Sequence, residues 1–139
     1  MIDLSKFKKK SLTSGEPYLS ITEAGITFNK NCLLKLNSPE KVLLYVNESS
    51  KEIFITPSDD EDSVLFVSSK RKDHAAYVRW NNIDFRDELF EWAVYFNCKI
   101  TQETGVKVVG TYVPDNNGIL FEFKLARPLR KIPEPELPF

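Results

Sequence analysis

The sequence predicts an α+β fold built from small mixed or antiparallel sheets with two helices, on three observations. Short runs rich in β-branched and aromatic residues recur along the chain, each bounded by Gly, Pro, Asn or Asp. Two stretches carry apolar residues at helical spacing behind a residue that can cap a helix. The composition, 42% hydrophobic with ten Phe, five Tyr and two Trp in 139 residues, supplies enough large apolar side chains for one compact core.

The first ordered unit starts after Gly15, Glu16 and Pro17. Tyr18 to Ile21 and Ile26 to Phe28 read as a strand pair turning at Glu23, Ala24 and Gly25. Asn29 is placed to cap a helix whose Phe28, Cys32, Leu33 and Leu36 share one face, and Asn37, Ser38 and Pro39 close it. Lys41 to Val46 and Glu52 to Thr56 are strand formers joined by the hairpin-length loop 47–51, and the unit ends at Pro57.

The acidic connector 58–63 follows. Its carboxylates lack the alternation, the Gly and the distant Glu of a calcium loop, so it reads as a solvated linker. Strand character resumes at Val64 to Ser68 and, beyond the basic turn Lys70, Arg71, Lys72, at Ala75 to Trp80. Ile83, Asp84 and Phe85 read as the counterpart of Ile26, Thr27 and Phe28, leading into a helix with Asp84 as its cap and Phe85, Leu89, Trp92, Ala93 and Phe96 on the apolar face. Residues 105–113 and 119–123 form a hairpin across Pro114 to Gly118, whose Asn117-Gly118 step is a turn signal.

The order strand, strand, helix, strand, strand therefore occurs twice. The expected organisation is a basic arm over residues 1–14, a first unit over 15–57, the connector 58–63, a second unit over 64–125, and a Pro-rich extended tail over 126–139. The two units are expected to share one core, with Phe28, Leu33, Leu36, Ile53, Phe85, Leu89, Trp92, Phe96 and Phe121 buried.

Catalytic chemistry finds little to stand on. His74, the single histidine, lies among Arg71, Lys72 and Asp73 in an exposed-looking turn, and no Ser-His-Asp set can be built on it. Cys32 and Cys98 lack a CxxC spacing and are expected to be buried thiols. The carboxylates form contiguous surface-type runs, and Gly is too scarce for a phosphate cradle; scattered Asp84, Glu122 and Lys124 are the weak remaining case for a metal-dependent nuclease. No catalytic residue, metal or cofactor is assigned.

The stretch Ile21-Thr22-Glu23-Ala24-Gly25-Ile26-Thr27-Phe28-Asn29-Lys30, with the short helix and the hairpin ending at Pro57, resembles the AbrB-type swapped-hairpin DNA-binding domain over about the first third of the chain. The resemblance implies a barrel of two interlocked halves, and the internal repeat implies that this single chain supplies both as a pseudo-two-fold swapped-hairpin barrel. Ile26 stands where that family usually has a basic residue, and Asn29 where it has a Pro opening the helix, which points to phosphate contacts rather than base reading.

The formal net charge of −1 leaves no field of one sign over the molecule, so an anionic partner must meet a local patch. The candidate DNA-binding residues are Lys8, Lys9, Lys10, Lys30, Lys70, Arg71, Lys72 and Arg79, with Arg127, Arg130 and Lys131 as a further basic set. Two readings follow. One is a non-enzymatic, DNA-associated regulator that holds double-stranded DNA by its phosphates. The other is a protein-interaction module, an inhibitor or accessory factor of a mobile element, docking through its tail or a sheet edge. No apolar run reaches the roughly 20 residues that span a bilayer and no signal peptide is evident, so the expected address is the cytoplasm without a membrane partner. Nothing in the sequence sets the oligomeric state.

Overall fold

The computed structural model describes residues 2–7, 15–68 and 77–130. Nine strands pair antiparallel into one sheet that curls into a half-barrel, with two helices, among the described residues. Strand β1 (Tyr18–Thr22) and β2 (Gly25–Phe28) form the first hairpin, and α1 (Lys30–Lys35) follows. Next come the hairpin β3 (Lys41–Asn47) and β4 (Glu52–Pro57), then β5 (Val64–Leu65) and β6 (Val78–Trp80). Helix α2 (Ile83–Phe96), the hairpin β7 (Val106–Val113) and β8 (Gly118–Glu122), and β9 (Arg127–Pro128) complete the chain. The spatial order is β5-β3-β4-β8-β7-β1-β2-β6, with β9 on β7.

Alternation decides which wall each side chain joins. Leu19, Ile21, Ile26, Phe28, Val42, Ile53, Ile55, Val106, Val108, Ile119 and Phe121 point into one core. Phe28 is central to it, its ring centre 4.7 Å from Trp80, 5.3 Å from Phe66 and 5.7 Å from Phe121. Helix α2 sends Leu89, Trp92 and Ala93 inward, and Trp92 meets Phe123 edge-on at 5.5 Å. Strands from either side of residue 57 pair with one another: β1 with β7, β4 with β8, β3 with β5 and β2 with β6.

Asn29 caps α1 as the sequence predicts, its Oδ1 accepting the Cys32 N–H at 3.3 Å and the Tyr18 N–H at 3.0 Å. Asn37 and Ser38 then enter the left-handed region (φ 59° and 49°), and the Ser38 N–H returns to the Leu33 carbonyl at 2.8 Å. The turn between β1 and β2 needs Gly25, whose φ is +133° and whose added Cβ would lie 2.6 Å from the Trp80 carbonyl oxygen.

Several expectations are corrected. Ile83, Asp84 and Phe85 are not strand but the first turn of α2; Asn82 is the cap, its Oδ1 accepting the Phe85 N–H at 2.9 Å, and Asp84 sits where the helix dipole favours a carboxylate. Phe96 is 40% exposed because α2 ends there, beyond the wall that covers Trp92, and Phe85 is only half-buried. The strands expected over 64–68 and 75–80 are confined among the described residues to Val64–Leu65 and Val78–Trp80. Cys98 lies past the end of α2 and is exposed, whereas Cys32 is buried. The start of the expected tail belongs to the fold: Ala126 is buried, and Arg127 and Pro128 pair with Lys107 and Val106, Pro being tolerated because β9 is a sheet edge. Residues 131–139 lie outside the described residues. No helix among the described residues is long and apolar enough to cross a membrane.

Candidate nucleic-acid interface

The wall opposite the core carries the candidate site. Because Leu19, Ile21, Ile26, Phe28, Val78, Val106 and Val108 face inward, the residues between them face outward. Register then aligns one outward residue from each of five neighbouring strands. Arg127 on β9 lies opposite Lys107 on β7, Lys107 opposite Ser20 on β1, Ser20 opposite Thr27 on β2, and Thr27 opposite Arg79 on β6. At about 4.8 Å between strands the row is roughly 19 Å long. It holds three cations and two hydroxyls, and no carboxylate.

Arg79 and Lys107 are each held by a neighbouring side chain. The Arg79 Nε donates to Thr27 Oγ1 at 3.4 Å, and the guanidinium carbon lies 5.0 Å from the centre of the Tyr77 ring. The Lys107 Nζ stands 4.4 Å from the centre of the Tyr18 ring. Tyr18 is fixed in turn through its backbone N–H, which donates to Asn29 Oδ1, and its carbonyl, which accepts the Asn29 N–H at 3.1 Å. The ion pairs among the described residues are Arg86–Asp87 and Lys124–Glu122, so no described carboxylate neutralises Arg79, Lys107 or Arg127. The two terminal guanidinium nitrogens of Arg79 make no hydrogen bond to a described residue.

Of the DNA-contacting residues expected from the sequence, Arg79 stands in the row and is exposed. Lys30, the first residue of α1, is exposed just past Asn29 and so borders the Tyr18 end of the face. Lys8, Lys9, Lys10, Lys70, Arg71 and Lys72 lie outside the described residues, as does His74. Lys107 was not singled out by sequence reasoning. Its one signal is the alternation Val106-Lys107-Val108, which sets it outward without revealing its neighbours. Arg130, expected among the basic set, instead donates to the Glu103 carbonyl at 3.3 Å. Ile26, after the turn glycine, is fully buried, so its side chain takes no part in an outer surface.

Other chemistry is thin. The Cys32 thiol is pushed up to about 12 by burial and is no nucleophile near neutral pH. Glu122 is tied to Lys124 at 3.0 Å, and the described residues bring together no group of three or more His, Cys, Asp or Glu able to hold a metal ion. A depression lined by Thr22, Glu23, Arg86 and Phe90 is a structural joint: the Arg86 guanidinium is spent on Asp87 Oδ1 and the Glu23 carbonyl, pinning α2 to the β1–β2 turn.

Comparison with family models, with curated proteins and with solved structures gives no match to this chain.

Proposed function

We propose that this chain is a non-enzymatic, cytoplasmic, DNA-associated regulator that holds nucleic acid by its phosphates on the outer face of β9, β7, β1, β2 and β6. The observation that carries the reading is the uninterrupted row Arg127–Lys107–Ser20–Thr27–Arg79, basic at both ends and free of carboxylates. At about 3.4 Å per phosphate, its length of roughly 19 Å spans between about five and six phosphate intervals of one strand along the duplex axis. Lys107 and Arg79 displace condensed counterions, and the short Ser20 and Thr27 side chains let a backbone approach the sheet between them. Arg79 spends its Nε on Thr27, which aims its terminal nitrogens outward for a paired contact to one phosphate. In this reading Arg79, Lys107 and Arg127 are all spent on phosphates, so binding is largely indifferent to sequence.

The strand neighbours support an AbrB-like barrel made by one duplicated chain. Exchanging β1–β4 with β5–β8 turns the pair β3–β4 into β7–β8 and β1–β7 into β5–β3, and leaves β4–β8 and β2–β6 as themselves. Helices α1 and α2 exchange as well, each following an Asn cap. Among the described pairs two lack a counterpart: β1–β2, since no β5–β6 ladder is present, and β7–β9, since β9 lies outside the exchange.

The test is a fluorescence-anisotropy titration of a duplex oligonucleotide at several salt concentrations, with wild type beside Arg79→Ala/Lys107→Ala/Arg127→Ala. The triple variant is expected to bind at least tenfold more weakly at low salt, with a log-log salt slope smaller by about 2.7. Equal affinity and equal slope for the two proteins would refute this site.

A further inference from the structure

The two terminal strands of the sheet, β5 and β6, face each other across an open seam. A groove of about 620 Å³ runs between them, lined mainly by Leu44, Val64, Leu65, Val67, Trp80 and Phe85. Among the described residues one hydrogen bond crosses it: the Trp80 indole Nε1 donates to the Leu65 carbonyl at 3.0 Å. Elsewhere in the curl every neighbouring pair of strands is joined by a ladder, β1 and β2 through four residue pairs.

We infer that this seam binds an extended segment of a partner protein, which adds a strand between β5 and β6. Three observations select that occupant. First, the seam offers main chain: the Phe66 N–H is turned toward β3, where it donates to the Glu40 carbonyl at 2.7 Å, so the neighbouring Leu65 turns its N–H toward the groove, beside the carbonyl that accepts the Trp80 indole N–H. A ladder edge of this kind is satisfied by another backbone in extended form, which a nucleic acid does not supply. Second, the seam is apolar and wet: Leu65 is 62% and Val67 59% exposed, so alternate apolar side chains of an added strand have surface to cover. Third, among the described residues Arg79 is the one charged side chain lining the groove, at its rim. The complement is an extended segment with alternating apolar residues and a flanking carboxylate.

The inference shares Arg79 with the proposed phosphate-binding row but rests on no DNA binding, and its test uses no nucleic acid. A displayed library of random decapeptides is selected on the full chain, and the selected peptides are synthesised. Enriched sequences are expected to alternate apolar and polar residues beside an Asp or Glu. Their binding is expected to protect the Leu65 amide, together with amides of 78–80, from hydrogen exchange. N-methylation of alternate peptide nitrogens, which removes ladder donors without touching the protein, is expected to weaken binding at least tenfold, and Val67→Asp, at an already exposed position, to do the same. Three outcomes overturn the proposal: no enrichment; binding that survives N-methylation; or protection of the same amides that grows with protein concentration in the absence of peptide, which would make a second copy of the chain the occupant.

Discussion

Lys107 on β7 holds its ammonium 4.4 Å above the centre of the Tyr18 ring on the adjacent strand, midway between Arg127 on one side and the hydroxyls of Ser20 and Thr27 on the other. The face of the ring attracts the ammonium and so restrains the lysine beside Tyr18. Lys107→Gln should lower the salt slope of DNA binding by about 0.9 while leaving thermal stability within about 0.5 kcal/mol of wild type. Anisotropy at four salt concentrations and a denaturant melt check both halves of the statement; an unchanged slope would remove Lys107 from the interface.

Gly25 joins β1 to β2 with a backbone that L side chains seldom adopt and with the Trp80 carbonyl directly above its missing Cβ. Gly25→Ala should cost about 1–3 kcal/mol, combining the conformational strain with displacement of β6. Urea denaturation measures it, and an effect below about 0.5 kcal/mol would contradict the geometry.

Trp92 is 7% exposed and closes the core against Phe123. Trp92→Ala should destabilise by about 3–5 kcal/mol. Because β1, β3 and β4 pair with β7, β5 and β8, unfolding should be one cooperative transition, and a fragment of residues 15–57 alone should show no folded amide spectrum.

The two cysteines should behave as opposites. With native protein at pH 8, one thiol, Cys98, should react with a disulfide reagent, and Cys32 only on unfolding. Burial raises Cys32 from 9.0 to about 12 in the fold, so the unfolded chain releases that proton first as pH rises. The contribution of the neutral buried thiol is whole below pH 9 and is lost toward pH 12, by about 1.4 kcal/mol per unit in that window. Comparing wild type with Cys32→Ala across that range isolates the term from the titration of lysines and tyrosines; identical slopes would show that Cys32 ionises freely in the fold.

Local order was legible in the sequence where one side chain decides it. Asn29 as a cap, Gly25 as a turn and Asn117-Gly118 as a hairpin end all depend on chemistry within a few residues. Asn82 was overlooked because Asp84, two positions on, is an equally good cap on paper; the helix starts earlier because Asn82 Oδ1 reaches the Phe85 N–H while Asp84 still gains from the dipole. Phe96 has the right spacing for the core, yet spacing does not say where the covering wall stops. The basic row was out of reach for a similar reason. Arg79, Lys107 and Arg127 are isolated in the sequence, and only the registers β2–β6, β1–β7 and β7–β9 bring them into line. Reading charge by contiguity favoured the lysine runs instead.

The pairing of β1 with β7 also sets a schedule for the chain's birth. Ile21 leaves the ribosome roughly 85 residues before Val106, its partner, which at 5–20 residues per second is a wait of about 4 to 17 seconds. Through that interval β1 and β4 hold unpaired edges rich in Ile, Leu and Phe, and the last ladder to form is the short one between β7 and β9 near the end of the described chain. The yield of the protein in a cell should therefore depend on holding chaperones more than the stability of its finished fold would indicate.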